Sequence, residues 1–225
     1  GWVTRRVHIG HPDFGQAIPC TCQETEDSGN RAAALRRYSN LGALSRITFA
    51  TTNLEGPMPA AGHQMFSEGV KAAARFAEDP QGWLVITGPS GSGKTHLAVA
   101  IANRCIERDQ TAFFIVAADL LDHLRAAYSP DNPVSYDELF DQVRNVPVLV
   151  LDDLSTTNAT PWAQEKLFQV INHRYNNALP TVVTVRGPLQ RLDDSLRTRL
   201  EGSDGTAAVI QLGNFNSRLV LGIGE

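Results

Sequence analysis

The chain lacks the compositional features of disulfide-linked, membrane-spanning and uniformly basic proteins. It has only three cysteines, an odd number, and Cys105 falls inside a predicted helix, so a disulfide framework is not expected and a reducing cytoplasm fits best. No apolar run reaches the roughly 18 residues of a membrane span, and the opening GWVTRRVHIG lacks the apolar region of a signal peptide. A net charge of −4 excludes a uniformly basic nucleic-acid-binding protein. We therefore expect a cytoplasmic protein with no membrane partner.

Strand and helix patterns alternate over most of the chain. From about residue 63, continuous apolar strands lie between amphipathic helices, which favours an α/β fold whose parallel sheet has helices on both faces. We predict a short N-terminal partner-binding segment at 1–46 and the α/β domain at 47–225. The predicted strands are 83–87, 112–117, 147–152, 181–185 and 207–212, and the predicted helices are 94–109, 119–128, 135–144, 161–178 and about 189–200.

A phosphate-binding loop is predicted where the first of these strands meets the first of these helices. The segment GPSGSGKT matches G-x-x-x-x-G-K-[ST] in full and has the required strand and helix around it. Glycines let the backbone turn so that several N–H groups surround a phosphate, and the helix start adds its dipole. The alternative is a glycine-rich turn that binds nothing. The predicted nucleotide-binding residues are Gly88, Pro89, Ser90, Gly91, Ser92, Gly93, Lys94, Thr95 and the adjacent His96.

Two acidic residues end the strand VPVLVLDDLS. A phosphate-binding loop needs an acid at the end of a neighbouring strand to orient its metal ion, and these residues supply it. We predict that Asp152 binds Mg²⁺ together with the Thr95 hydroxyl, directly or through water, and that Asp153 polarises the attacking water. Lys94 is expected to reach the β- and γ-phosphates of ATP. The alternative is that the two acids only cap the next segment.

These segments together resemble one family. GPSGSGKTHLAVAIAN, FFIVAADLLDHLR, VLVLDDLS and LPTVVTVRGPLQRLDDSLRTRL resemble the AAA+ ATPases of the DnaC/DnaI helicase-loader and IstB transposition-helper group, over roughly residues 47–220. The resemblance implies a P-loop NTPase fold of the AAA+ type, here with little or no helical lid. It also implies ATP and Mg²⁺ as cofactors and adenine contacts from the linker around 47–49.

The resemblance also implies further site residues. An arginine finger that reaches a neighbouring subunit's nucleotide falls in SLRTRL, with Arg199 the first choice and Arg197 the second; the alternative for both is an exposed helix face. Thr184 or Arg186 occupies the position that senses the γ-phosphate after the fourth strand. Arg218 is the candidate for a second sensor arginine after the last strand.

The N-terminal segment carries two further features. Cys20 and Cys22 are separated by one residue, and the segment resembles the end of a small zinc-binding module, so the two thiols are a partial Zn²⁺ site whose other ligands lie upstream. His8 and His11 are the alternative ligands, and a broken or absent site is the other alternative. The segment is also mildly basic, a composition more typical of an exposed helix face than of a nucleic-acid site.

The family resemblance favours an ATP-dependent loader that binds a hexameric replicative helicase and single-stranded DNA. Its DNA-facing helices are expected within 119–145, which includes Arg125, Tyr128 and Arg144. One alternative is a transposition helper of the IstB type that assembles on duplex DNA. The other is a switch or adaptor that binds ATP and hydrolyses little of it.

Overall fold

The computed structural model describes residues 2–4, 17–19, 39–52, 60–129, 134–155, 159–202 and 205–213. The chain divides into two compact units, Gly1–Arg37 and Tyr38–Glu225. In the first unit, strands β1 (Trp2–Thr4) and β2 (Ala17–Pro19) pair antiparallel, with Val3 opposite Ile18.

A five-stranded sheet forms the centre of the second unit. Its strands are β3 (Trp83–Gly88), β4 (Ala112–Val116), β5 (Val148–Leu154), β6 (Thr181–Arg186) and β7 (Ala207–Gln211). Their spatial order is β4-β5-β6-β3-β7, and every neighbouring pair is parallel. Because β3 to β6 are almost continuously buried, their sequences contain unbroken apolar runs rather than alternating polar residues. The predicted sheet is confirmed.

Six α-helices surround this sheet within the described residues: α1 (Ala60–Glu78), α2 (Lys94–Glu107), α3 (Ala117–Ala126), α4 (Tyr136–Asn145), α5 (Pro161–Asn176) and α6 (Asp194–Leu200). Local signals set two of the starts. Thr160 accepts a hydrogen bond from the Ala163 N–H ahead of Pro161, and Ser135 accepts one from the Glu138 N–H. No helix among the described residues combines the length and the apolar character needed to cross a membrane.

Residues 39–52 belong to the second unit and contact its α2, α3 and β4. The Asn103 side chain donates to the carbonyl oxygens of Leu44 and Ile47, at 3.1 and 2.7 Å. Asn40 donates to Asp119 at 2.9 Å and accepts from the Val116 N–H at 3.1 Å. Within 39–46, which the sequence assigned to the N-terminal segment, the only helical piece is the 3₁₀ turn Gly42–Leu44. The role of 1–46 as a partner-binding segment stays a prediction.

Candidate nucleotide site

The predicted phosphate loop lies at the carboxyl end of β3, where the chain turns sharply into α2. Gly88, Gly91 and Gly93 all have positive φ, at 151°, 79° and 90°. At Gly88 a Cβ would lie 2.8 Å from both the Leu212 carbonyl oxygen and the Ser92 hydroxyl, so a side chain there would displace the loop. At Gly91 a Cβ would meet nothing within 4 Å. The glycines therefore produce a turn with open space above it, as a phosphate requires.

Two side chains of the loop have the properties of phosphate ligands. Lys94 is almost fully buried, and its ammonium donates to the Pro89 carbonyl oxygen at 2.7 Å. Burial lowers the pKa of Lys94, while Asp153 and Asp152 nearby act to raise it. The Ser92 hydroxyl is fully buried and has no hydrogen-bond partner within the described part of the chain. A buried ammonium beside an unsatisfied hydroxyl fits an anionic ligand at this loop.

A bulge separates the two acidic residues at the end of β5. Leu151 lies opposite Val183 and Leu154 opposite Val185, so β5 has one more residue than β6 over this stretch. The extra residue gives Asp153 a φ of 53°, in the left-handed region. Asp152 is consequently buried at 3% exposure, whereas the Asp153 side chain is 42% exposed.

Asp152 is held by two hydroxyl groups. Thr95 Oγ1 donates to its two carboxylate oxygens at 2.9 and 3.2 Å, and Thr184 Oγ1 donates to Oδ1 at 2.6 Å. Burial raises the pKa of Asp152, and the two hydroxyls partly oppose that shift. A hydroxyl and a carboxylate are the hard oxygen ligands that Mg²⁺ takes beside substrate phosphates. The described residues contain no cluster of three or more acidic, histidine or cysteine side chains that would hold a metal without a phosphate.

The two sensor candidates on β6 both contact the acidic pair. Thr184 is fully buried, and besides its bond to Asp152 it accepts a hydrogen bond from the Asp153 N–H at 2.8 Å. Arg186 lies two residues further on the same strand and pairs with Asp153 at 3.2 Å between Nη2 and Oδ2. Nothing in the local sequence indicates this pairing, because it depends on the bulge in β5.

His96 lies in the first turn of α2, directly after the phosphate loop. It is buried at 7% exposure, and its Nε2 is 3.3 Å from the Thr52 hydroxyl, next to the predicted adenine-contacting linker at 47–49. The Thr52 hydroxyl also donates to the Thr48 carbonyl oxygen at 3.2 Å. Burial lowers the pKa of His96, and the ring is therefore neutral near pH 7.

Both arginine-finger candidates contact their own chain. Arg199 donates to Asn172 Oδ1 at 2.6 and 2.9 Å and lies over the Phe168 ring at 4.8 Å. Arg197 pairs with Asp194 at 3.0 Å and with Glu201 at 3.6 Å. Their roles towards a neighbouring copy stay predictions. Cys20, Cys22, His8, His11 and Arg218 lie outside the described residues, so the zinc and second-sensor predictions remain as they were.

A cluster of aromatic rings with cations over them joins α3, α4 and α5. We call Tyr128, Tyr136 and Trp162, which are exposed or half-buried, the aromatic surface; the buried Phe140 ring stacks on Tyr136. Tyr128, which is 55% exposed, stacks on Tyr136 with ring centroids 4.5 Å apart. Arg125 lies 5.1 Å from the Trp162 ring, and Lys166 lies 5.7 Å from the Tyr136 ring. The sequence predicted Arg125, Tyr128 and Arg144 for this region, and Arg144 lies 5.6 Å from the Phe140 ring. It missed Trp162 and Lys166, which α5 supplies.

The sheet order, the phosphate loop after β3 and the acidic pair on β5, two strands away, define a P-loop NTPase of the AAA+ type. Residues 68–199, more than half of the chain, match the family model described as IstB-like ATP binding protein. The chain belongs to this family, as the sequence resemblance predicted.

Individual relatives extend this result. The replicative helicase loader DnaC of Escherichia coli K12 is 24% identical over 209 residues, which cover 86% of this chain and 82% of DnaC. A protein of insertion sequence IS5376 from Geobacillus stearothermophilus, named as an ATP-binding protein, is 35% identical over 101 residues, covering 45% of this chain and 39% of the relative. The crystal structure of the DnaC helicase loader has a TM-score of 0.58 at 23% identity, covering 73% of this chain and 98% of that one, which supports the fold.

Proposed function

We propose that the protein is an ATPase that loads a hexameric replicative helicase. The observation that carries the ATPase part is the arrangement of Lys94, Thr95 and Asp152 around an open glycine loop. The helicase part rests on the similarity to DnaC, which extends over most of both chains. Residues 1–46 are the proposed helicase-binding segment.

Each residue of the site has a distinct task in this proposal. The loop N–H groups, the Ser92 hydroxyl and the Lys94 ammonium bind the phosphates of ATP. Thr95 and Asp152 hold Mg²⁺, which when bound neutralises charge on the phosphates. Asp153 accepts a hydrogen bond from the water that attacks the γ-phosphorus in line with the leaving oxygen. Thr184 keeps both acids in position through its two hydrogen bonds, and the products are ADP and phosphate.

Hydrolysis is proposed to require self-association. An arginine from a neighbouring copy stabilises the charge that develops on the transferred phosphoryl group, an effect worth about 10³-fold or more in rate. Arg199 and Arg197 are the candidates, and both lie on α6 with their guanidinium groups already held by side chains of their own chain. Release of one of these contacts would accompany assembly.

The aromatic surface is the proposed site for single-stranded DNA. Bases stack on exposed aromatic rings whatever their sequence, and neighbouring cations bind the phosphates between them. Tyr128 offers an exposed ring, and Arg125 and Lys166 lie beside the same cluster. Tyr128→Ala is expected to weaken binding of a fluorescent oligo(dT) about fivefold or more. Phe113→Leu, a buried change on β4, is the control that tests for a general effect of destabilisation.

Two other functions share the same ATP site. A transposition helper acting on duplex DNA is favoured by the family match and by the 35% identity to the insertion-sequence protein, although that match covers less than half of the chain. A nucleotide-binding switch with little hydrolysis is favoured by the ion pair between Arg186 and Asp153, because Asp153 is the acid that would orient the attacking water.

The first experiment measures ATP turnover with Mg²⁺, with and without oligo(dT), duplex DNA and the replicative helicase of the same source. Lys94→Ala is the control, because it removes the ammonium without touching the acidic pair. We expect turnover to rise with helicase and oligo(dT) and to be absent in the variant. Wild-type turnover no faster than that of Lys94→Ala under every condition would leave only the switch.

Size-exclusion chromatography with the same helicase and Mg²⁺·ATP tests the partner. The loader proposal expects a co-eluting complex that is lost when residues 1–46 are removed. Because residues 39–46 are part of the second unit and contact its helices α2 and α3, a second truncation that ends at residue 37 controls for loss of packing. Stimulation by duplex DNA, together with no helicase complex, would instead support the transposition helper.

A further inference from the structure

The three cations that lie over the Trp162, Tyr136 and Phe140 rings are each paired with an acid of their own helix. The pairs are Arg125 with Asp122 at 2.9 Å, Lys166 with Glu165 at 3.2 Å, and Arg144 with Asp141 at 2.5 Å. The three acidic side chains are 57–71% exposed, whereas two of the cations, Lys166 and Arg144, are 14% and 35% exposed. The acids therefore face solvent at least as much as the cations do.

The helices around these rings carry more negative than positive charge. Across α3, α4 and residues 161–168 of α5, six acidic residues stand against three basic ones, leaving histidine aside. The acidic residues are Asp119, Asp122, Asp137, Glu138, Asp141 and Glu165. A phosphate that approaches the rings therefore meets a net negative field. Duplex DNA is repelled most, because it carries one phosphate charge for about every 1.7 Å of its axis.

Stacking favours a single strand at the same place. The Tyr128 ring is 55% exposed and stacks on Tyr136 with 13° between the ring planes. A single strand can lay an unpaired base on such a ring and turn its phosphates towards solvent. The bases of a duplex already stack on each other, so a duplex has its phosphates to offer and little else. Acids beside the rings thus weaken duplex binding more than single-strand binding.

We propose that Asp122, Asp141 and Glu165 make the aromatic surface selective for single-stranded over duplex DNA. The three acids offset the three cations, so binding depends on base stacking, which a single strand supplies and a duplex does not. The inference rests on the proposed DNA site and gives these acids a role in the choice of substrate. It favours loading on an unwound strand over action on duplex DNA.

The test measures the affinity of the whole chain for fluorescent oligo(dT) and for a labelled duplex of the same length, by anisotropy at several salt concentrations. Three free cations on a single strand would give a slope of about −2 when log affinity is plotted against log salt, because each contributes about −0.7. Since the cations are already paired, we expect a slope shallower than about −1. The duplex should bind at least about tenfold more weakly than oligo(dT).

A charge-neutral variant tests the acids directly. It combines Asp122→Asn, Asp141→Asn and Glu165→Gln, which keep the side-chain shapes and release the cations. Duplex affinity should rise about tenfold, oligo(dT) affinity should rise about threefold or less, and the oligo(dT) slope should steepen towards about −2. The matched control combines Glu68→Gln, Glu107→Gln and Asp109→Asn. These remove three exposed acids from α1 and from the end of α2, which carry none of these rings, and should change neither affinity more than about twofold.

The outcomes separate this inference from the DNA site on which it rests. An equal rise for the two forms of DNA, or the same change in the control, would overturn the selective role of the acids while leaving oligo(dT) binding in place. If the wild type does not bind oligo(dT), the proposed DNA site and this inference both fall, and ATP turnover still tests the ATPase proposal. Thermal unfolding checks that each variant is folded.

Discussion

Arg174 offers the sharpest test of how the second unit is held together, because it is a fully buried cation whose partners among the described residues include no carboxylate. Its five N–H groups donate to the carbonyl oxygens of residues 144, 146, 147 and 180 and to the Thr181 hydroxyl, at 2.7 to 3.4 Å. Burial lowers the pKa of Arg174, since nothing of opposite charge offsets its desolvation. The side chain thus joins the chain entering β5 to the chain entering β6.

Arg174→Met keeps most of the apolar stem and removes all five donors. Each buried acceptor left without a partner costs about 1 kcal/mol or more, and relief of the buried charge returns part of that sum. We therefore expect a net loss of about 3 kcal/mol in the free energy of unfolding. For a unit of this size that corresponds to a fall in Tm of about 6–12 °C.

Urea unfolding followed by tryptophan fluorescence measures the loss directly, because Trp83 on β3 packs edge-on against Tyr175, 6.1 Å between ring centroids. The matched control is Arg104→Met. The Arg104 side chain is 39% exposed and pairs with Glu78 and Glu107 at the surface, so its loss should destabilise the protein far less than the loss of Arg174. A change below about 1 kcal/mol for Arg174→Met would refute the view that these hydrogen bonds stabilise the sheet. ATP affinity of the folded variant should be unchanged, since the contacts lie at the opposite ends of the strands from the phosphate loop.

Three further predictions concern the site itself. Thr184→Val removes the hydroxyl that bridges the two acids, so turnover should fall more than about tenfold. The control is Thr181→Val, a buried change at the other end of β6 that should leave turnover per folded molecule intact. Equal effects of the two changes would contradict the bridging role. Asp152→Asn should raise the Tm of the nucleotide-free protein at neutral pH and abolish the Mg²⁺-dependent part of ATP affinity. The pKa of Asp152 is raised by folding, so its ionisation costs folded-state stability once the pH exceeds the pKa of the unfolded chain. An unchanged or lower Tm would contradict this. Since burial lowers the pKa of His96, the unfolded chain takes up the proton first, and stability should fall as the pH drops below about 6.5. Between about pH 7.5 and about pH 5.5, the Tm should therefore fall less for His96→Gln than for the wild type. Equal decreases in the two proteins would exclude His96 as a cause.

Much of the fold and part of the site could be predicted because the signals are local. The phosphate loop is one continuous stretch from Gly88 to Thr95, and the apolar strands with their intervening helices identify a parallel sheet. Asp152 and Asp153 could be found because they directly follow a buried strand, and the ends of parallel strands meet at one edge of the sheet.

The remaining features depend on pairing between distant segments. The bulge that turns Asp153 towards Arg186 exists only when β5 is aligned with β6, some thirty residues away along the chain. Arg174 belongs to the helical stretch HRYN, which by sequence alone is a typical exposed basic helix end; its burial follows from where α5 crosses the sheet. The contacts of Arg199 with Asn172 and Phe168 likewise follow from packing of α6 on α5.

The hydrogen bond between Thr95 and Asp152 has one more consequence. The two side chains that would hold Mg²⁺ already contact each other. Thr95 Oγ1 and Asp152 Oδ2 are 2.9 Å apart without any ion. A Mg²⁺ ion held by these two residues would replace this hydrogen bond and would require no separation of α2 from β5. If nucleotide binding is signalled to a partner, we expect a different contact of the site to change, such as the exposed Asp153–Arg186 ion pair.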